Sequence, residues 1–383
     1  MKRRLLIRTI LFSSSVLLVT VTSCTSINNQ SSSYQPPEIK IGVLFPLTGD
    51  AASYGEKGKK AIELAVEEIN AKEVKKATAI FEDSRAEPKT GVTATQKLID
   101  VDKVPVIVGD IVSAVTLAIA PIAEKNQVVV LAPTSSAPAI TNAGEYIYRI
   151  WPSDLVEGTK IAERAAQKGF KNVAILHLNN DYGLAIANIF QKTFEQKGGK
   201  VVLKEGYLDK ATDFRPVLSK IANLKPDVIY VAGYFADTAR ILKQSRELAI
   251  QSQFLGTTAI EDDEFIKLAG NAAEGMIYPL ATGFDPTVIK NSKVDNFVNS
   301  FEKKYKYKPG WVEGHSYDAF MMAYQAANSS DAQVTGTSIK KYFDTMKSYE
   351  GVTGKIVFDK NGDVVKPVVF KTIQKSKFVA IGN

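Results

Sequence analysis

Three hydroxyl residues, Ser113, Thr134 and Ser136, follow short β-branched runs, where a strand would hand over to a helix or a turn. Hydroxyls and free backbone N–H groups at helix starts suit a carboxylate, because the donors already point outward and the helix dipole favours negative charge. Taken singly, each has a plainer explanation. Ser113 reads as the N-cap of a helix through Ala114, and Pro133-Thr134-Ser135-Ser136 as a polar turn. Tyr54, Trp151, Tyr182 and Tyr234 fall at similar places and would wall an apolar pocket, although aromatic residues at strand ends usually just pack.

The residue types for covalent chemistry are sparse. Two histidines occur, His177 at a strand end and His315 in Gly314-His315-Ser316, with no Gly-x-Ser-x-Gly elbow beside them. A strand-end histidine is more often packed or hydrogen-bonded than catalytic. No Gly-x-Gly-x-x-Gly follows the first strand, and Gly55-Glu56-Lys57-Gly58-Lys59 lacks the spacing of a phosphate loop. Glu261-Asp262-Asp263-Glu264 directly precedes Phe265-Ile266-Lys267-Leu268, so it reads as the acidic start of a helix rather than a metal site. The expectation is a non-enzymatic chain with no catalytic residues, no cofactor and no metal.

The elements that position these residues alternate. Ile39–Phe45 reads as a buried strand, and Glu56 to Asn70 places Ile62, Ala65, Val66 and Ile69 on one helical face. Val106–Val108 precedes a helix from Ala114 to Glu124, then comes Val128–Leu131. Val173–Leu176 precedes Ala185 to Gln196, and Val228–Val231 precedes Ala236 to Leu248. Near-continuous apolar strands separated by helices imply parallel sheets covered on both faces. So many units exceed one open sheet, and the fold class expected is α/β with two doubly wound parallel-sheet lobes. Ligands of such sheets sit beyond the carboxyl ends of the strands, where the residues above lie. Asn361-Gly362, between Ile356–Phe358 and Val364–Val365, reads as the turn of a C-terminal hairpin.

The amino terminus carries a different message. Lys2, Arg3 and Arg4 precede a short apolar core and Val21-Thr22-Ser23-Cys24, which describes an export signal over residues 1–23. The last four residues resemble the lipobox of bacterial lipoproteins, in which the cysteine is acylated and becomes the mature terminus. Residues 24–37, rich in Ser, Asn, Gln and Pro, read as a flexible tether. Cys24 is the only cysteine, so no intramolecular disulfide is available. The net charge of +7 falls to +3 when Lys2, Arg3, Arg4 and Arg8 leave with the signal. The remaining charges are interspersed, which gives no case for nucleic acid.

An ordered set of motifs carries a more specific resemblance over Glu38 to Phe378. Phe45-Pro46-Leu47-Thr48-Gly49 with Tyr54-Gly55, Ile107-Val108-Gly109 with Ser113, and Ala132-Pro133-Thr134-Ser135-Ser136 come first. Tyr148-Arg149 with Asp154, Asn180-Asp181-Tyr182-Gly183, Ala273-Glu274-Gly275 and Tyr317-Asp318-Ala319 follow. Together they resemble the branched-chain amino-acid (Leu/Ile/Val) binding proteins of bacterial ABC transporters. That resemblance implies a type I periplasmic binding protein, bilobal, with three crossings between lobes near Pro152–Asp154, near Pro279–Thr282 and between Tyr349 and Ile356. The lobes would be 38–153 with 282–352, and 154–281 with 353–383.

The resemblance also implies a ligand site. Ser113, Thr134 and Ser136 would hold a carboxylate, while Tyr54, Tyr182 and Tyr234 would form walls or meet an ammonium. Thr258 stands where the family usually carries an acid for that ammonium. An ammonium taken from water needs a charged or multiply accepting partner, so Asp154 is expected to supply it, with Glu261 next. Otherwise the ligand lacks an amine. The expected protein is a lipid-anchored, extracytoplasmic monomer that offers a small-molecule ligand, an amino acid or a related carboxylate or amide, to a membrane permease. The alternative is a sensor on the same fold that signals to a membrane partner.

Overall fold

The computed structural model describes residues 38–281, 284, 292–330 and 333–382. The expected export signal, Cys24 and the tether lie outside them, as does Thr282 at one expected crossing.

The first sheet is built from β1 (Glu38–Phe45), β2 (Lys76–Asp83), β3 (Val106–Gly109), β4 (Val129–Ala132) and β5 (Ile147–Arg149). They lie in the order β2-β1-β3-β4-β5, all parallel. The crossover helices are α1 (Ala52–Lys72), α2 (Pro88–Asp100) and α3 (Ser113–Asn126). β1 buries every residue from Ile41 to Phe45 because helices cover both faces of the sheet, which is why it reads as an unbroken apolar run.

The second sheet takes the chain after β5. Its elements are α4 (Asp154–Gln167), β6 (Asn172–Leu178), α5 (Asp181–Gln196), β7 (Lys200–Tyr207), α6 (Arg215–Leu224) and β8 (Val228–Ala232). They continue through α7 (Phe235–Glu247), β9 (Gln253–Leu255), α8 (Asp263–Ala269) and β10 (Ile277–Ala281). The chain then returns to the first sheet with α9 (Ser292–Tyr305), α10 (Trp311–Asn328) and α11 (Gly336–Thr345). In that segment α10 lies along α1 and over β1 and β3, and α11 packs on β4. A small hairpin of β11 (Tyr349–Gly351) and β12 (Gly354–Ile356) follows, then β13 (Val368–Gln374) and β14 (Lys377–Ile381). The second sheet runs β14-β13-β10-β9-β8-β6-β7. Its β6 to β10 core is parallel, while β13 and β14 join it antiparallel, so the expected wholly parallel lobe is mixed at one edge.

Two expectations about the C-terminal segment need correction. Tyr349 to Ile356 is not a crossing: it forms the β11–β12 hairpin, held to α10 by Asp318, which accepts from Val352 N (2.9 Å) and Thr353 N (2.8 Å). The chain enters the second sheet only at β13. Nor do the residues beside Asn361-Gly362 pair as strands. The turn itself forms, with Asp359 N donating to Asp363 O at 2.8 Å and Gly362 in the positive-φ region at 74°. Its carbonyl and acid are drawn to the end of β5 instead of to a partner strand. Gly362 O accepts from Arg149 N at 3.0 Å, and Asp363 accepts from the Arg149 guanidinium at 2.6 and 2.8 Å.

Candidate functional site

A cavity opens where the strand ends of both sheets meet. From the first sheet come Tyr54 on the first turn of α1, Ile111, Val112 and Ser113 after β3, and Thr134 and Ser136 after β4. From the second come Tyr182 at the start of α5, Tyr234 after β8, and Thr258 and Ala259 after β9. Trp151 and Glu157 frame the first crossing, and Trp311 arrives on α10. Every sheet-derived wall residue follows the carboxyl end of a parallel strand, where helix N-termini also converge.

Eight of the nine residues expected from the sequence thus meet at this cavity: Tyr54, Ser113, Thr134, Ser136, Trp151, Tyr182, Tyr234 and Thr258. Asp154 does not line it. Its side chain is buried, and neither carboxylate oxygen has a partner within hydrogen-bond distance. The lining residues that sequence reasoning missed are Ile111, Val112, Glu157, Ala259 and Trp311. Glu261 lies elsewhere too, accepting from Tyr278 and Lys371. Neither His177 nor His315 lines the cavity; their Nδ1 atoms bond to the carbonyls of Leu178 and Trp311.

The hydroxyl side of the site is pre-arranged. Ser113 opens α3 but does not cap it: its Oγ accepts from Ser136 N and Ala137 N, both at 3.1 Å, so its own proton remains to be donated. Those two N–H bonds tie the turn after β4 to the start of α3. Arg149 braces the same turn from behind, donating to Ser136 O at 3.1 Å and Ala137 O at 2.9 Å. Thr134 Oγ1 makes only a long contact of 3.4 Å with Ile111 O.

The aromatic side is built from rings of both halves. Tyr182 and Tyr234 stack at 5.4 Å with 7° between planes, and Tyr54 meets Tyr234 edge-on at 6.2 Å. Trp151 and Trp311 lie 4.8 Å apart. Several bonds next to these rings join the two sheets' elements. Tyr54 Oη donates to Ala259 O, Trp311 Nε1 to Glu261 O at 3.0 Å, and Ser53 Oγ to Asp262 at 2.8 Å. Lys57 pairs with the same Asp262 at 3.0 Å. Asp262 also caps α8 by accepting from Glu264 N at 2.8 Å, as the acidic helix start led one to expect. Among the described residues, no group of His, Cys, Asp and Glu is arranged to hold a metal ion.

Glu157 is the ionisable carboxyl of the cavity wall, and Thr258, from the loop after β9 in the same half, holds it. Thr258 N lies 2.9 Å from Oε1 and Thr258 Oγ1 lies 2.8 Å from Oε2. The same Oγ1 is 2.8 Å from Pro279 O. A hydroxyl has one proton and a carbonyl has none, so both full-length contacts are satisfied together when Glu157 is protonated and donates to Thr258, which in turn donates to Pro279 O. The electrostatics agree. Burial pushes the Glu157 carboxyl up to about 7, against the pull of its Thr258 bonds. Burial raises Asp154 as well, with Glu157 adding to the rise and the nearby Ser136 and Arg149 side chains weakly opposing it. Burial also holds the Tyr54 and Tyr182 phenols well above their usual range, so both stay protonated donors.

Hydroxyl donors on one wall, stacked rings on the other and a buried acid at the crossing are the equipment of a molecule that grips a small solute between two α/β halves without changing it. That is the type I periplasmic binding fold, a solute-binding protein and not an enzyme. The family model described as periplasmic binding protein matches residues 38–377, and the chain belongs to that family, whose members work outside the cytoplasm.

Relatives extend along nearly the whole chain. The leucine-, isoleucine-, valine-, threonine-, and alanine-binding protein of Pseudomonas aeruginosa is 28% identical over 334 residues, 85% of this chain and 87% of its own. The branched-chain amino acid transporter substrate binding protein LivJ of Streptococcus pneumoniae, solved in complex with isoleucine, matches with a TM-score of 0.83 at 27% identity. The match covers 90% of this chain and 99% of that one. An ABC transporter solute binding protein from Rhodopseudomonas palustris, solved with 3,4-dihydroxy benzoic acid, matches with a TM-score of 0.80 at 25% identity, over 90% of this chain and 96% of that one.

Proposed function

We propose that the chain is the lipid-anchored substrate-binding protein of an ABC transporter and takes an amino acid, or a related small carboxylate or amide, in the cleft between its two sheets. The observation that carries this is the convergence of Ser113, Thr134 and Ser136 on a ring-walled cavity, with two backbone N–H groups already fixing the Ser113 oxygen. Donors held in place before binding suit a carboxylate, since little ordering remains to be paid. The names of the relatives point to amino acids, and the dihydroxybenzoate complex keeps aromatic carboxylates in view.

The first sheet with its return segment through the β11–β12 hairpin, and the second sheet from α4 to β10 with β13 and β14, act as the two lobes, closing about the crossings so that both contact the ligand. A ligand that binds the closed arrangement better than the open one shifts the population toward it. The chain acts as a monomer and hands its ligand to a membrane permease. A thermal-shift screen of amino acids, their amides and small carboxylates tests this reading. Stabilisation by members of one such class supports it, and a flat response to all of them contradicts it.

Attachment to the membrane rests on Cys24, supported by the basic start, the short apolar core and the small residues before it. No helix among the described residues is long and apolar enough to cross a membrane. Acyl chains each add about 0.8 kcal/mol per buried methylene, enough in pairs to hold a soluble domain at a bilayer surface. Cys24→Ser should move the protein from the membrane to the soluble fraction. A processed variant that stays with the membrane would refute the anchor.

A further inference from the structure

We propose that Glu157, steered by Thr258, receives the cationic nitrogen of the ligand, so that the site selects a zwitterionic amino acid over the same carboxylate without its amine and releases the Glu157 proton when that ligand binds. The inference rests on the amino-acid reading above and names the residue that would impose it.

Three observations support it. Among the residues lining the cavity, Glu157 is the one carboxyl, and no Lys, Arg or His lines it. A buried acid without a cation is costly to ionise, which is the situation a ligand's ammonium relieves. Second, Thr258 orients both Glu157 oxygens, through its N–H and its hydroxyl, and each oxygen keeps a second lone pair for an N–H of the ligand. Third, the Glu157–Thr258–Pro279 chain is fully satisfied by a proton on Glu157, so the proton is in place to leave. The hydroxyl cluster of Ser113, Thr134 and Ser136 belongs to the first-sheet side, while Thr258 comes from the second. The two ends of an α-amino acid would therefore be read by different halves.

The charge balance is simple. The ammonium keeps its three protons, Glu157 gives its single proton to the buffer, and the carboxylate so formed pairs with the ammonium. The other charged or titratable groups near Glu157 are Asp154 on its own helix, Tyr182 on α5 and Tyr230 on β8. Both tyrosines are held protonated by burial, and burial and Glu157 raise the Asp154 carboxyl well above its usual value despite Arg149. Because Glu157 must ionise to pair, affinity for an amino acid should rise as pH climbs from 5.5 to 8. Affinity for the deaminated acid should stay level or fall, since it carries no cation to pair with an ionised Glu157.

The test is titration calorimetry with L-leucine and with 4-methylpentanoate, its deaminated analogue, in two buffers of different ionisation enthalpy. Leucine should bind at least about a hundredfold tighter and release between about a half and one proton near neutral pH. Glu157→Gln preserves shape and the donor to Thr258. It should weaken leucine about a hundredfold, abolish the proton release and change 4-methylpentanoate by less than about threefold. Equal affinities for the two ligands, leucine binding without proton release, or equal losses for both in the variant would overturn the assignment while leaving the cleft a carboxylate site. If neither ligand binds the wild-type protein, and no other amino acid or small carboxylate does, the reading of the cleft itself fails, and this assignment with it.

Discussion

Arg149→Met is expected to destabilise the fold by about 3–5 kcal/mol, the range for breaking a buried, charged pair from one side. The guanidinium is fully buried at the end of β5 and uses its donors on four partners. It forks onto both oxygens of Asp363 at 2.6 and 2.8 Å, reaches the carbonyls of Ser136 and Ala137, and bonds Thr141 Oγ1 at 2.7 Å. Methionine fills the space but returns none of these bonds, leaving Asp363 without its cation and the Ser136 and Ala137 carbonyls with only their backbone donors. Because the braced turn displays Thr134 and Ser136 to the cavity, ligand affinity should drop with stability. Chemical denaturation measures the first effect, and the double variant Arg149→Met with Asp363→Leu should recover part of it, since no lone charge remains. A loss below about 1 kcal/mol in the single variant would show that the ion pair does not hold this turn.

Gly55→Ala is expected to be nearly as damaging, though the change is a single methyl. The added Cβ would lie 2.0 Å from Pro46 O and 2.5 Å from Pro46 C, and both are backbone atoms with no rotamer to yield. Either the end of β1 or the first turn of α1 must move, and the second carries Tyr54, whose hydroxyl reaches Ala259 O across the cleft. Overpacking against backbone costs about 3 kcal/mol at the upper end of its usual range, and the strain falls next to the site, so affinity should fall at least about tenfold. Gly382→Ala, whose Cβ would meet nothing within 4 Å, serves as the neutral control. Melting temperatures of the two variants check the contrast, and a Gly55→Ala protein as stable as the control would contradict it.

How much of this was legible in the chain follows from burial. The parallel strands at the centre of each sheet are covered on both faces and read directly as apolar runs, as in β1, β3, β4, β6 and β8. β2 and β7 were not read as strands. Each sits at the edge of its sheet and is half-exposed, so lysines and acids flank the apolar residues of β2 and interrupt those of β7. The Asn361-Gly362 turn was visible but its role was not, because the signal for a hairpin turn does not say whether the flanking residues have strands to pair with.

The site was more legible than the edges, since strand-end loops can be ordered along the sequence once the alternation is seen. Glu157 escaped because an acid in the first turn of a helix is what the helix dipole favours anyway, and only the contact with Thr258, 101 residues on, gives it a different meaning. Asp154 was preferred because a ligand ammonium needs an acid and Thr258 offers none, yet the acid that lines the cavity is Glu157. Trp311 comes from a segment that returns to the first sheet late in the chain, and its packing against Trp151 has no local signature.

The central claim, that the cleft grips one small carboxylate-bearing solute, is tested most directly by thermal unfolding of the purified mature chain across a concentration series of hydrophobic L-amino acids and small aromatic acids. One ligand per chain, held at a hundred times its dissociation constant, should add about 2.7 kcal/mol and raise the midpoint by several degrees, with the shift growing logarithmically with concentration. A midpoint that stays fixed to millimolar concentrations of every amino acid, amide and small carboxylate would contradict the account.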